Sequence, residues 1–163
     1  MDVFDEYFLE LINSLHANQV EYIFVGGLAT NLNGYSRFTS DVDIWLKDEP
    51  ENRKRLRKSL REIELGDLPM IETIDFIPGW SAISLNSGVE LDIMTNLLGL
   101  EEHSFDEVYK LCPTAEIYSV KVKFLHINFL IENKKKVNRD KDKIDVANLE
   151  RIKKESENNS EKK

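Results

Sequence analysis

A single cysteine, Cys112, stands in 163 residues, so neither an intrachain disulfide framework nor a cysteine-built zinc site is available within one chain. The histidines His16, His103 and His126 are widely scattered without metal-binding spacing, and read as surface or partly buried side chains. No apolar run approaches the roughly 20 residues a membrane-spanning helix needs. The opening Met1-Asp2-Val3-Phe4-Asp5-Glu6 is acidic where a secretion signal would be basic. No membrane association and a cytoplasmic location are therefore expected. The serine elbow of the hydrolases is missing. Cys112, between Leu111 and Pro113, reads as packed rather than reactive, and Trp45 and Trp80 read as core or pocket wall.

Positive charge is scarce over most of the chain. Residues 1–120 carry 9 basic and 22 acidic side chains, a net of −13, whereas residues 121–163 carry 13 and 8, a net of +5. Bulk attraction to nucleic acid is thus excluded for the main body, although the basic end could touch phosphates. Lys134-Lys135-Lys136 and the lysines after them read mainly as a solvated helix face. With 41% hydrophobic and 32% charged residues the composition is that of a soluble globular protein. Its length fits a single domain over residues 1–155, large enough to bury a core unaided, followed by a polar tail at 156–163 expected to be disordered.

The apolar spacing of Val3, Phe4, Tyr7, Phe8, Leu11, Ile12 and Leu15 predicts an amphipathic helix over residues 3–17. A strand is expected at Val20–Val25, a short helix at Leu28–Asn33 closed by Gly34, and a second strand at Val42–Leu46. Pro50 stands where a first-turn proline would precede a charged helix over Glu51–Ile63, with a break at Gly66–Pro69. Asn86-Ser87-Gly88 joins two strands, Ala82–Leu85 and Val89–Met94, as a hairpin. Ser104-Phe105-Asp106-Glu107 has the capping-box form for a helix to about Leu111. Ile117–Val122 reads as one strand, and C-terminal helices within 123–155 are placed at Leu125–Lys135 and Asp140–Lys153. This order predicts a small mixed, twisted α/β sheet backed by helices.

The most informative residues lie at one turn. Tyr22-Ile23-Phe24-Val25 runs into Gly26-Gly27, thirteen residues precede Asp41, and Asp41-Val42-Asp43 opens the next strand. Alternate strand residues share a face, so Asp41 and Asp43 aim both carboxylates the same way. Such a pair repels itself unless a cation compensates it. Glu90 and Asp92 in Val89-Glu90-Leu91-Asp92-Ile93 repeat the pattern on a later strand. A glycine pair after a strand is either a tight turn or a place where backbone approaches phosphate. The dinucleotide fingerprint lacks its third glycine here, and no Gly-Lys-Ser/Thr follows as a P-loop requires. Paired carboxylates beside a phosphate-binding turn meet the needs of magnesium, whose oxygen shell phosphates complete.

Val25-Gly26-Gly27, followed by Arg37-Phe38-Thr39-Ser40-Asp41-Val42-Asp43-Ile44, resembles the signature of the DNA polymerase β-like nucleotidyltransferase superfamily. Within it the chain looks most like the small minimal and antitoxin-type nucleotidyltransferases. Arg37 and Thr39 match an Arg-x-Thr stretch of these relatives, and Asn133-Lys134 with Arg139-Asp140-Lys141-Asp142 resembles their Lys…Arg-x-Lys-Asp stretch. The resemblance spans most of residues 20–150, strongly over 25–44. It implies the nucleotidyltransferase fold and transfer of a nucleoside monophosphate from an NTP to a hydroxyl acceptor. It further implies that Gly26 and Gly27 seat the triphosphate, and that Asp41, Asp43 and Asp92 hold two Mg2+ ions, or Mn2+. Asp92 would also assist deprotonation of the acceptor, with Glu90 as the fallback. Arg37, Thr39 and Ser40 either contact phosphate or ribose or shape the loop, and Lys134 and Arg139 either reach phosphate or form a charged helix face. The alternative reading is an antitoxin-like subunit that binds a partner toxin. A homodimer could supply a pocket wall that the short C-terminal part lacks.

Overall fold

The structure is a computed structural model that describes residues 5–162. Helix α1 (Glu6–Ala17) is capped by the Asp5 carboxylate, which accepts from the Phe8 N–H. The expected helix from residue 3 thus begins at Glu6 among the described residues, and Val3 and Phe4 lie outside them. Strand β1 (Tyr22–Val25) is buried throughout, as its uninterrupted apolar run requires. Helix α2 (Gly26–Leu32) starts on the glycine pair itself, two residues before the expected start. Strand β2 (Asp41–Leu46) and helix α3 (Pro50–Glu62), with Pro50 in its first turn, fall where the sequence places them.

A single 3-10 turn (Pro69–Glu72) leads to β3 (Ala82–Ser84) and β4 (Glu90–Met94), which pair as the expected hairpin. Helix α4 (Phe105–Leu111) carries the full Ser104/Glu107 capping box. The one strand expected over Ile117–Val122 is instead a hairpin of β5 (Thr114–Ile117) and β6 (Val120–Lys123). Its turn residues Tyr118 and Ser119 adopt positive φ, 48° and 70°, without the Asn or Gly that usually announces such a turn. The C-terminal helices start at Ile127, not 123, because Lys123 still belongs to β6 and the Leu125 N–H donates to Phe24 O (2.9 Å). Helix α5 (Ile127–Val137) ends on Asn138 in the left-handed conformation, and α6 follows (Asp140–Glu161). The tail expected to be disordered from 156 is therefore helical through Glu161, since no Pro or Gly interrupts α6.

The main sheet has the order β1-β2-β4-β3. β1 and β2 are antiparallel, β2 and β4 parallel, and β3 and β4 antiparallel. Helices α1 and α3 pack together over a core that includes Leu11, Leu15, Leu56 and Leu60, and α5 packs on α6 and α2. The parallel β2–β4 pair brings the acidic residues together, because its register sets Asp43 opposite Asp92 and Asp41 opposite Glu90.

Candidate active site

The ends of β1, β2 and β4 open into a cleft of about 850 Å³, within the size range of small-molecule sites. All ten sequence-predicted site residues line it. Gly26 and Gly27 form the first turn of α2, and Arg37, Thr39 and Ser40 lie on the loop into β2. Asp41 and Asp43 stand on β2, Asp92 on β4, Lys134 on α5, and Arg139 at the N-cap of α6.

The glycines are explained first by the site's own packing. Gly26 sits at φ +61°, and a Cβ there would overlap the Asp43 carboxylate. A Cβ on Gly27 would lie 2.5 Å from Thr39 Oγ1. The glycine turn thus makes room for Asp43 and Thr39 before it makes room for any ligand.

Among the described residues the acidic side is not compensated by direct ion pairs. Burial, followed by repulsion from Asp92 and Asp41, pushes the Asp43 carboxyl up to about 6, although Lys141 and Lys134 pull it partly back. Burial also raises Asp92 above the usual carboxylate range, with Asp41 adding to the shift and the hydrogen bond from the Gly79 amide opposing it. The Gly79 N–H donates to Asp92 Oδ2 (2.8 Å), while Asp92 Oδ1 is buried and has no hydrogen-bond partner among the described residues. Glu90, the fallback, is differently placed, since its carboxylate accepts from Ser84 Oγ on the neighbouring strand.

The helical side is the reverse. Asp145, 1% exposed, accepts a two-pronged bond from Arg37 (2.7 and 2.8 Å) and a third from Lys134 Nζ (2.7 Å). Asp142, equally buried, accepts from Arg139 Nε (2.7 Å) and lies 3.6 Å from Lys134 Nζ. For both acids burial is the largest influence and pushes upward. The bonds and charges of Arg139 and Lys134 at Asp142, and of Arg37 and Lys134 at Asp145, outweigh it and hold the carboxyls below the usual range.

Lys134 corrects the sequence reading. It was expected mainly as solvated helix surface, yet its side chain is 4% exposed, because two buried aspartates on α6 face it. Trp80, expected as core or pocket wall, is 86% exposed beside the cleft-lining Gly79, whereas Trp45 is buried as expected.

Sequence reasoning missed Asp145, the Gly79 amide and the cleft-lining Lys141 as site components. The three-residue spacing of Asp142 and Asp145, which puts both on one helix face, was an available signal for the pair. Pro78-Gly79 announces only a turn. Among the described residues no three His, Cys, Asp or Glu side chains form a ready-made metal cage.

No protein-family model matches the chain, and no curated protein matches its sequence. Among solved structures, the crystal structure of an antigenic nucleotidyltransferase-like protein from Paracoccidioides brasiliensis is similar to it, with a TM-score of 0.53 and 19% sequence identity. The match covers 87% of this chain and 71% of that one. At this identity the likeness shows the fold alone, which is the mixed α/β nucleotidyltransferase fold expected from the sequence. Among the described residues no helix is long and apolar enough to cross a membrane.

Proposed function

We propose that the protein is a metal-dependent nucleotidyltransferase of the small minimal or antitoxin-type branch. It moves a nucleoside monophosphate from an NTP to a hydroxyl on a protein side chain, an RNA end or a small molecule. One observation carries the reading: Asp43 faces Asp92 across parallel strands, and among the described residues Asp92 Oδ1 is buried and unpartnered at a cleft of nucleotide size. A folded protein retains a buried carboxylate oxygen without a partner only at a cost. Hard oxygen donors, mutual repulsion and the bare oxygen all fit divalent cations held by Asp41, Asp43 and Asp92. Two such ions, Mg2+ or Mn2+, would supply Lewis-acid stabilisation of the phosphate and attacking oxygens when bound.

The chain's own residues supply the rest. Asp92, its Oδ2 held by the Gly79 amide, would accept the proton of the acceptor hydroxyl. The freed oxygen bonds to the α-phosphorus, and the bond from that phosphorus to the bridging oxygen breaks, releasing pyrophosphate. Gly26 and Gly27 line the cleft and would seat the phosphates through their main chain, with Thr39 and Ser40 lining it beside them. Arg37, Lys134 and Arg139 already hold Asp145 and Asp142, so they act through position and field more than as free phosphate clamps. The test is incubation with labelled ATP, GTP, CTP or UTP, magnesium and host lysate. Label appearing on a protein, RNA or small molecule supports transfer, and no label in any of the four reactions contradicts it.

A second reading, an antitoxin-like subunit that binds a separate toxin with or without transfer, draws on one feature. Phe38, 74% exposed, lines the cleft, and the exposed Trp80 follows Gly79, which suits a macromolecular partner at the mouth.

A further inference from the structure

Arg53 has no place in the transfer chemistry, yet it is buried, 9% exposed, and heavily engaged. It projects from the first turns of α3 and donates to Asp48 Oδ1 (2.7 Å). Its Nη1 donates to two main-chain carbonyls, Ile71 O (3.1 Å) and Ile74 O (2.7 Å). The same guanidinium lies 4.7 Å from the ring centroid of Phe76, itself buried. One side chain therefore fixes three points along the segment from Ile71 to Phe76. Arginine suits this task because its planar fork serves several acceptors while its face stacks on a ring.

Immediately after Phe76 the chain makes a tight turn that closes on itself. The Ile77 N–H donates to Ser81 Oγ (2.8 Å), and the Trp80 N–H donates to Ile77 O (2.9 Å). The turn is fastened to β4 beside Asp92, where the Ile93 N–H donates to Ser81 O (3.0 Å). At its apex Gly79 adopts φ +80°, a conformation side-chain-bearing residues rarely adopt, and this presents its N–H to Asp92 Oδ2. With Oδ2 held by the turn, Oδ1 is the oxygen left without a partner among the described residues.

We propose that Arg53 is a positioning residue for Asp92, acting through the Phe76–Ser81 turn whose Gly79 amide fixes the orientation of the carboxylate. The inference rests on the reading of Asp92 as a metal ligand, and it adds the device that orients that ligand from α3, outside the cleft. Groups that orient a metal ligand commonly set its affinity as strongly as the ligand's own neighbours do.

The test is titration of Mn2+ alone into the full chain, with free ion counted by electron paramagnetic resonance. Parent, Arg53→Met, Arg53→Lys and Arg57→Met proteins are compared. Arg57 holds Glu72 on the same segment and Asp67 before it, both upstream of the turn, and controls for general loss of an arginine anchor. Arg53→Met should bind Mn2+ about ten-fold more weakly, and Arg57→Met should bind like the parent. Arg53→Lys keeps the charge but loses the fork, so its affinity should fall between parent and Arg53→Met. It also serves if Arg53→Met fails to fold. In Arg53→Lys the Gly79 amide should exchange with solvent faster than in the parent, while the Ile93 amide keeps its protection. A merely structural arginine would lower the melting temperature without moving either readout. Parent-like Mn2+ affinity in a folded Arg53 variant overturns the inference alone. A parent protein that binds no Mn2+ overturns the metal-site reading beneath it.

Discussion

Two pairs of aspartates, one lining this cleft and the other held behind its cationic side chains, have opposite fates. Asp43 and Asp92, on parallel strands, are raised by burial and, among the described residues, have no cationic side chain in contact. Asp142 and Asp145, on α6, are more deeply buried yet lie below the usual range, because Arg37, Lys134 and Arg139 bind them directly. Burial pushes all four upward, and only Asp142 and Asp145 have direct cationic partners that outweigh it. The chain supplies the countercharge to the helical pair, and it supplies none in direct contact to the strand pair, where the proposed cations would sit. That contrast distinguishes a site from a strut.

The contrast breaks most visibly at Asp43. Asp43→Asn should abolish nucleotide transfer, a loss of at least about a thousand-fold or 4 kcal/mol of transition-state stabilisation, without lowering the melting temperature. Full activity in that variant would remove Asp43 from the chemistry. On the other side, Asp145→Ala strands Lys134 and Arg37, and should cost about 3 kcal/mol of stability in denaturant titration. A change within experimental error would show that Asp142 alone holds the two cations.

The third carboxylate gives a smaller effect. Asp92→Ala should lower the single-turnover rate at saturating magnesium and nucleotide by more than about ten-fold, or 1.4 kcal/mol, and Glu90→Ala by less. The reverse ranking would move the role to the acid bonded to Ser84.

A further effect is in pH. The Asp43 carboxyl at about 6 lies above its unfolded value of 3.8, so between these values the folded state holds a proton that the unfolded chain has lost. Metal-free stability should therefore fall as pH rises from about 4 through 6, by roughly 2 kcal/mol, and level off above. Asp142 and Asp145 act in the opposite sense, contributing stability above the ordinary carboxylate range that is lost as pH falls through their lowered values. Denaturant midpoints of parent and Asp43→Asn across that window should diverge upward in pH, and parallel curves would remove the Asp43 contribution.

The acidic half of the cleft was legible in the sequence, whereas of the paired half the cations Arg37, Lys134 and Arg139 were legible and their aspartate partners were not. Val25-Gly26-Gly27 and Asp41-Val42-Asp43 are local patterns, and strand alternation alone puts both carboxylates on one face. The hairpin at Asn86-Ser87-Gly88 and the Ser104 capping box were legible because their turn chemistry is written in adjacent residues. The bond between Arg37 and Asp145 joins residues 108 apart, and no local pattern distinguishes Lys134 from the exposed Lys135 and Lys136 beside it. The Tyr118-Ser119 turn was missed because neither residue advertises positive φ. The Gly79 amide escaped notice because main-chain donors leave no mark in a sequence beyond the glycine that frees them. The need for glycine at position 26 likewise has a cause visible only in the packed structure, where Asp43 occupies the space a side chain would need.

Thermal unfolding of parent and Asp43→Asn at pH 8, with and without Mn2+, tests most directly whether the strand carboxylates are held bare for a cation. In metal-free buffer Asp43→Asn should melt at or above the parent temperature, because a repelling charge is gone. Added Mn2+ should raise the parent's melting temperature and leave the variant's nearly unmoved. An Asp43→Asn protein that is less stable without metal, or that responds to Mn2+ as fully as the parent, would contradict the account.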